Sequence, residues 1–326
     1  MRASYDEFGL FHENAAEFGL PFTGPPVVRR ESVEVEPGRS VSALVWGDSE
    51  PRLFFLHGGA QNAHTYDTVA MALGLPVVCV DLPGHGHSDG AAAPDDEAGD
   101  GMSPAGIARD VATACAALAP AAELVMGMSL GGLTAIMLAH QRPDLVRRLI
   151  LVDVTPGVNG EKAKAIADFV RGPATFPDFD ALLARTMVHN PTRSESSLRR
   201  GILHNALQLS DGSWVWRHQR DEVKRGFDEA AVVSEARRAI DTSAMWDIVG
   251  ELAMPVMLVR GMRIGSVVDD DDVAEFRRRC PHVEVLEVDA GHSVQGDQPL
   301  VLAATVERFM RTPGSPNFTG PTGVGC

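Results

Sequence analysis

Only four cysteines occur in 326 residues, Cys79, Cys115, Cys280 and Cys326, and no two stand in a CxxC spacing. Cys79 (VVCVD) and Cys115 (ATACAAL) lie inside apolar strand and helix patterns, so they read as buried free thiols rather than metal or redox ligands. A small disulfide scaffold is excluded. Positive charge is also scarce, with 29 Lys and Arg against 44 Asp and Glu and a formal net charge of -15. With no Lys/Arg run interleaved with aromatics, the surface is poor at attracting phosphate backbones, and no nucleic-acid partner is expected. No stretch approaches the roughly 20 apolar residues that a membrane span needs. The opening residues, MRASYDEFGLFHENAAEFGL, carry acids in their first turns and no apolar run of signal-peptide length, which points to a cytoplasmic protein. In that compartment the Asn-Phe-Thr sequon at Asn317 carries no meaning.

What is present is a large apolar content, 44% of residues, enough to bury the core of one big α/β domain or of a domain with an insertion. Short Val/Ile/Leu-rich runs recur at 52–58, 76–84, 122–129, 147–157, 255–261 and 282–292, with helical patterns between them. Continuous apolar strands alternating with helices predict a mostly parallel sheet covered on both faces. Ahead of them, ESVEVEPGRSVSALVWGD alternates on either side of Pro37-Gly38, as an antiparallel hairpin at a sheet edge would. About a hundred residues after Val154 contain no strand run of this kind, and EKAKAIADFVRG, FDALLARTMVHN and SLRRGILHNALQL read as helices of an inserted cap. Trp214 and Trp216 in DGSWVWRHQR belong to a short alternating piece, packing the cap or lining a pocket. The division expected is an N-terminal extension (1–30), a first core part (31–154), a helical cap (155–250), a second core part (251–311) and a disordered tail (312–326). The Gly/Ala/Asp stretch 90–106 reads as a mobile loop.

The chemistry gathers around VMGMSLGGLTAIMLAHQRP. Gly127-Met128-Ser129-Leu130-Gly131 is a G-x-S-x-G pattern passing from strand to helix, the context that makes Ser129 a candidate nucleophile on a strained turn. His57-Gly58-Gly59 follows an early strand, where the Gly59 N–H can face a developing oxyanion, and the Leu130 N–H at a helix start supplies a second donor. VDAGHSVQGDQP ends a strand with His292 in a loop, where a general base must lie to reach across to Ser129. His85 and His87 in PGHGHS have no carboxylate or cysteine at ligand spacing and read as a structural loop rather than a metal pair. The Gly-rich elbow presents a serine rather than a phosphate cradle, so no dinucleotide site, and no cofactor, is implied.

Together LHGG, DLPGHGHSDG, GMSLGG, LVDVTPG and AGHSVQGDQP make the chain resemble α/β-hydrolase-fold serine ester hydrolases from about Ser32 to Arg311, and among them small bacterial carboxylesterases with a helical cap. The resemblance implies an α/β fold with a mostly parallel central sheet, a Ser-His-acid triad, no cofactor and short-chain esters as substrates. In that family the acid usually lies about four residues past the glycine of PVMLVRG, and here that position is Gly265. Two replacements are available: Asp153, at the end of the strand LILVDV, and the run Asp269 to Asp272, whose place at a helix start suits capping. Asp153 is preferred because a short side chain at a strand end is held more rigidly. The same constellation could run acyl transfer, perhydrolysis or carbon-carbon bond hydrolysis, and Gly265 keeps open a nearly silent ligand receptor. An aspartate placed at Gly265 should recover part of the rate lost with Asp153, provided the backbone there does not have positive φ.

Overall fold

The computed structural model describes residues 5–91, 101–158, 161, 162, 164, 168, 169, 172, 173, 175–219 and 242–311. The tail 312–326 with Asn317 and Cys326, the middle of the 90–106 loop, and most of EKAKAIADFVRG lie outside the described residues. So does the stretch 220–241 of the expected cap.

The alternating sequence around Pro37-Gly38 forms an antiparallel hairpin of β1 (Val28–Glu36) and β2 (Arg39–Trp46). The apolar runs that follow give β3 (Leu53–Leu56), β4 (Val77–Val80), β5 (Leu124–Met128) and β6 (Leu149–Val152). Three short strands, β7 (Thr175–Phe176), β8 (Ala206–Gln208) and β9 (Trp214–Trp216), precede the last two apolar runs, β10 (Val256–Gly261) and β11 (Glu284–Val288). Eight strands form one sheet in the order β1-β2-β4-β3-β5-β6-β10-β11, parallel from β4 to β11. Strand residues alternate between two cores. Phe54 and Leu56 join a cluster on one face, and Leu53 and Phe55 join another.

The α-helices whose bounds fall among the described residues are α1 (Phe11–Phe18), α2 (Asp67–Leu73), α3 (Pro104–Leu118), α4 (Leu130–Gln141), α5 (Phe179–His189), α6 (Glu195–Asn205), α7 (Met245–Glu251), α8 (Asp270–Arg279), α9 (Val294–Asp297) and α10 (Pro299–Met310). α3, α4, α7 and α8 bury apolar side chains on one face, and α1, α2 and α10 on the other. From β3 the chain steps to β4 on one side and later to β5 on the other. The strand order reverses there, and the crevice beyond the carboxyl ends of β3 and β5 is where such sheets bind ligands.

The insertion differs from an all-helical cap. SLRRGILHNALQL leaves the helix at Asn205, and β8 pairs with β9, which pairs in turn with β7, in an antiparallel three-stranded sheet. The physical cause is the turn at Asp211-Gly212, with Gly212 at φ 94°, followed by Trp214-Val215-Trp216, whose bulk and alternation favour a strand. Phe176, Leu182, Ile202, Trp214 and Trp216 give this region its own core, and Trp216 also lines the cavity below it. The N-terminal residues are integrated too: Phe11 is 1% exposed in the main core, Glu13 pairs with Arg199 and Glu17 with Arg200 of α6, and the Tyr5 hydroxyl meets His204 Nδ1 at 2.6 Å. Cys79, Cys115 and Cys280 are free and buried. Among the described residues no helix is long and apolar enough to cross a membrane.

Candidate active site

Ser129 occupies the junction of β5 and α4 at φ 50°, ψ -120°, a conformation that a non-glycine residue adopts only under strain. The flanking glycines make the turn feasible. A Cβ on Gly127 would collide with the Gly131 backbone, and one on Gly131 with the Leu56 and His57 carbonyls. Ser129 is thereby held above the sheet in the wall of a cavity of about 400 Å³ that Gly59 and His292 also line.

His292 follows β11, and its Nδ1 lies 2.8 Å from Asp153 Oδ2. Asp153 is fully buried at the end of β6, with φ 47°, and its carboxylate is saturated with donors. Oδ1 accepts the Gly261 N–H at 2.9 Å and the Ser266 hydroxyl at 2.6 Å, and Oδ2 accepts the Val267 N–H at 3.1 Å. Those donors come from the loop in which the resemblance places the acid. Gly265 itself stands at φ 94° with open space around it, so an aspartate there is strained by its backbone, and the condition set for its rescue role is not met. Asp269 has other work. It is the N-cap of α8, bonded to the Asp272 N–H at 2.9 Å in a reciprocal capping box, and it pairs with Lys162 at 2.7 Å.

The loop after β3 is braced by two neutral histidines whose part in it is not legible from spacing. His57 Nε2 accepts the Leu82 N–H at 2.9 Å, so its Nδ1–H donates to the Gly58 carbonyl at 2.7 Å. Burial pushes its pKa down to about 3, reinforced by His85. His85 Nε2 accepts the Ala60 N–H at 3.0 Å. Ala60 is thus occupied, whereas the N–H groups of Gly59 and Leu130 have no hydrogen-bond partner among the described residues. Asp81 anchors the same region by accepting the Ala63 and His87 N–H groups; its HGHS neighbourhood is the only sequence signal for this.

One group among the described residues offers three metal-ligand atoms within 4.8 Å of one another: His64, Asp67 and His204. The two imidazoles are stacked, with centroids 3.8 Å apart and planes 9° from parallel, so their in-plane lone pairs do not converge on one point and the arrangement does not fit an ion. It is a proton network instead. His64 bridges Asp67 at 2.9 Å and Glu7 at 3.1 Å; burial opposes its charge, but the Asp67 carboxylate and these bonds raise its pKa to about 9. Burial and the neighbouring His64 charge keep His204 neutral, far below the usual histidine range.

With fold and site in view, comparison with known proteins gives the class. A profile of the α/β hydrolase fold matches residues 51–299, and the chain belongs to that family. It is 44% identical over 321 residues to the esterase Rv0045c of Mycobacterium tuberculosis, covering 94% of this chain and 96% of that protein. A solved structure of that esterase, from a study of its inhibition by transition metals, superposes with TM-score 0.76 at 43% identity, covering 95% of this chain and all of the other. The mouse sn-1-specific diacylglycerol lipase ABHD11 is 25% identical over 292 residues, 86% of this chain and 88% of that one.

Proposed function

We propose that the protein hydrolyses small carboxylic esters through an acyl-enzyme on Ser129. The observation that carries this reading is the His292–Asp153 hydrogen bond, made by a buried carboxylate and opening on the cavity that holds Ser129. With Nδ1–H committed to Asp153, His292 Nε2 keeps the lone pair and takes the Ser129 proton as the hydroxyl attacks the ester carbonyl. The N–H groups of Gly59 and Leu130 receive the developing oxyanion. His292 then passes its proton to the leaving alcohol, activates a water, and the acid is released. Asp153 fixes the tautomer and balances the imidazolium charge. The insertion, described over 175–219, acts as the cap that shapes the pocket.

The receptor alternative rested on the glycine at 265; since His292 has a carboxylate partner in this structure all the same, that feature no longer favours it. The names of the two relatives point to esters and support the same class. A fluorophosphonate should label Ser129 stoichiometrically, and acetate to hexanoate esters should turn over. Tight ligand binding without labelling or turnover would replace the enzyme by a receptor.

A further inference from the structure

In a chain of net charge -15, the cavity wall carries, among the described residues, two arginines, Arg193 and Arg200, and a single carboxylate, Asp67. Asp67 is engaged by His64. Arg200 is spent as well, its guanidinium bonded to Ser196 and to Glu17. Arg193 is different. It lies between α5 and α6, and among the described residues its guanidinium is bonded through Nη2 alone, to the Ser197 hydroxyl at 2.6 Å. Its Nε is buried with no partner, and no carboxylate of the described residues lies within 4.0 Å of it. The charges that face it are Asp297, Arg200 and Glu17. Glu17 is paired with Arg200, and Asp297 gives one oxygen to the Gly291 N–H at 2.7 Å.

The position is built rather than incidental. A methyl group at Gly296 would stand 2.8 Å from Arg193 Nε and 2.9 Å from its Cζ, so the guanidinium packs directly on the backbone of α9, the helix that follows His292. A partly buried cation whose Nε has no acceptor and which has no carboxylate in contact is costly. In a substrate cavity the cost is offset when the ligand brings the opposite charge, and a guanidinium favours carboxylate geometry.

We propose that Arg193 is a specificity-determining residue that binds a carboxylate on the substrate, making the preferred substrates half-esters of dicarboxylic acids. This rests on the esterase reading and narrows it. It also gives the cavity a polarity that the acidic surface lacks.

The test compares kcat/KM for monoethyl glutarate and monoethyl adipate with that for neutral ethyl hexanoate. Wild type should favour at least one half-ester about tenfold or more. Arg193→Gln should remove that preference, chiefly through KM, with a clearly larger loss on the half-ester than on the neutral ester, and Arg193→Lys should retain part of it. Raised salt should erode the preference only weakly, since the charge lies inside the wall. Equal or better turnover of ethyl hexanoate by wild type overturns the proposal, and so does an equal loss on both substrates in Arg193→Gln with Arg193→Lys no better, which marks Arg193 as a brace for Asp297. If neither ester type turns over, the hydrolase reading fails instead. Glutarate binding, followed by fluorescence of the cavity tryptophan Trp216, then decides: saturable binding lost in Arg193→Gln upholds the carboxylate site, and no binding by wild type sinks it.

Discussion

Replacing Asp153 with asparagine separates orientation from mere hydrogen bonding. The wild-type carboxylate accepts four hydrogen bonds, two at each oxygen. Asparagine keeps the shape but converts one oxygen into a donor, and each choice has a distinct cost. With the amide nitrogen at the Oδ2 site it faces the Val267 N–H, and His292 must turn its Nδ1 into an acceptor. The proton then moves to Nε2, which can no longer take one from Ser129, a defect worth about 10⁴-fold in kcat. With the nitrogen at the Oδ1 site, Ser266 can reverse its bond, but the buried Gly261 N–H loses its acceptor, at about 1–3 kcal/mol of stability. His292 then keeps a neutral partner in place of a countercharge, so kcat still falls. The expected result is a loss of ~10²- to 10⁴-fold in kcat with a lowered melting temperature. Asp269→Asn should leave kcat near wild type, because asparagine caps a helix about as well and the Lys162 pair is half-exposed. Short-chain p-nitrophenyl esters and a thermal melt measure both variants. A large kcat loss in Asp269→Asn beside a near-normal Asp153→Asn would refute the reasoning.

Ser129→Ala and His292→Ala should each cost ~10³-fold or more in kcat/KM while leaving the fold intact; retention of a tenth of wild-type activity by either would remove it from the mechanism. The cavity of about 400 Å³ should favour acyl groups of about two to six carbons over long chains, so faster cleavage of long-chain lipid esters contradicts the pocket assignment. Gly265→Asp in an Asp153→Asn background should fail to restore turnover because φ there is 94°; recovered kcat would show that the loop rearranges cheaply. His64, with a folded pKa of about 9 above that of the unfolded chain, stabilises fully below the unfolded value of about 6.5 and loses that contribution as pH rises toward 9. His57, held at about 3, stabilises above the unfolded value and loses that as pH falls through the folded one. Melting temperature should therefore decline on both sides of about pH 6.5, and His64→Gln should flatten the alkaline limb.

The parallel strands were legible because each is a short apolar run bounded by turn residues, and Leu53–Leu56, Val77–Val80 and Val256–Gly261 all lie inside such runs. Ser129 was legible for a related reason: glycines at 127 and 131 are demanded locally by backbone contact. The partnership of Asp153 with His292, 139 positions apart, is another matter. Strand position favoured Asp153, but its four donors come from residues that no local pattern connects to it. The alternation at Trp214–Trp216 marked β9, but β8 was missed because it continues an apparently helical run and owes its conformation to pairing with that strand. Arg193 was missed because an isolated arginine carries no motif; only the absence of a carboxylate partner among the described residues makes it distinctive.

The clasp between α1 and α6 bears on how this protein is handled in the laboratory. Glu13 and Glu17 hold Arg199 and Arg200, and Asn14 and Phe18 contribute to the same cavity wall as Ser129. A chain trimmed to begin at the first strand therefore loses part of the cavity wall itself. Kinetic constants taken from such material would report on an enzyme missing part of its pocket wall.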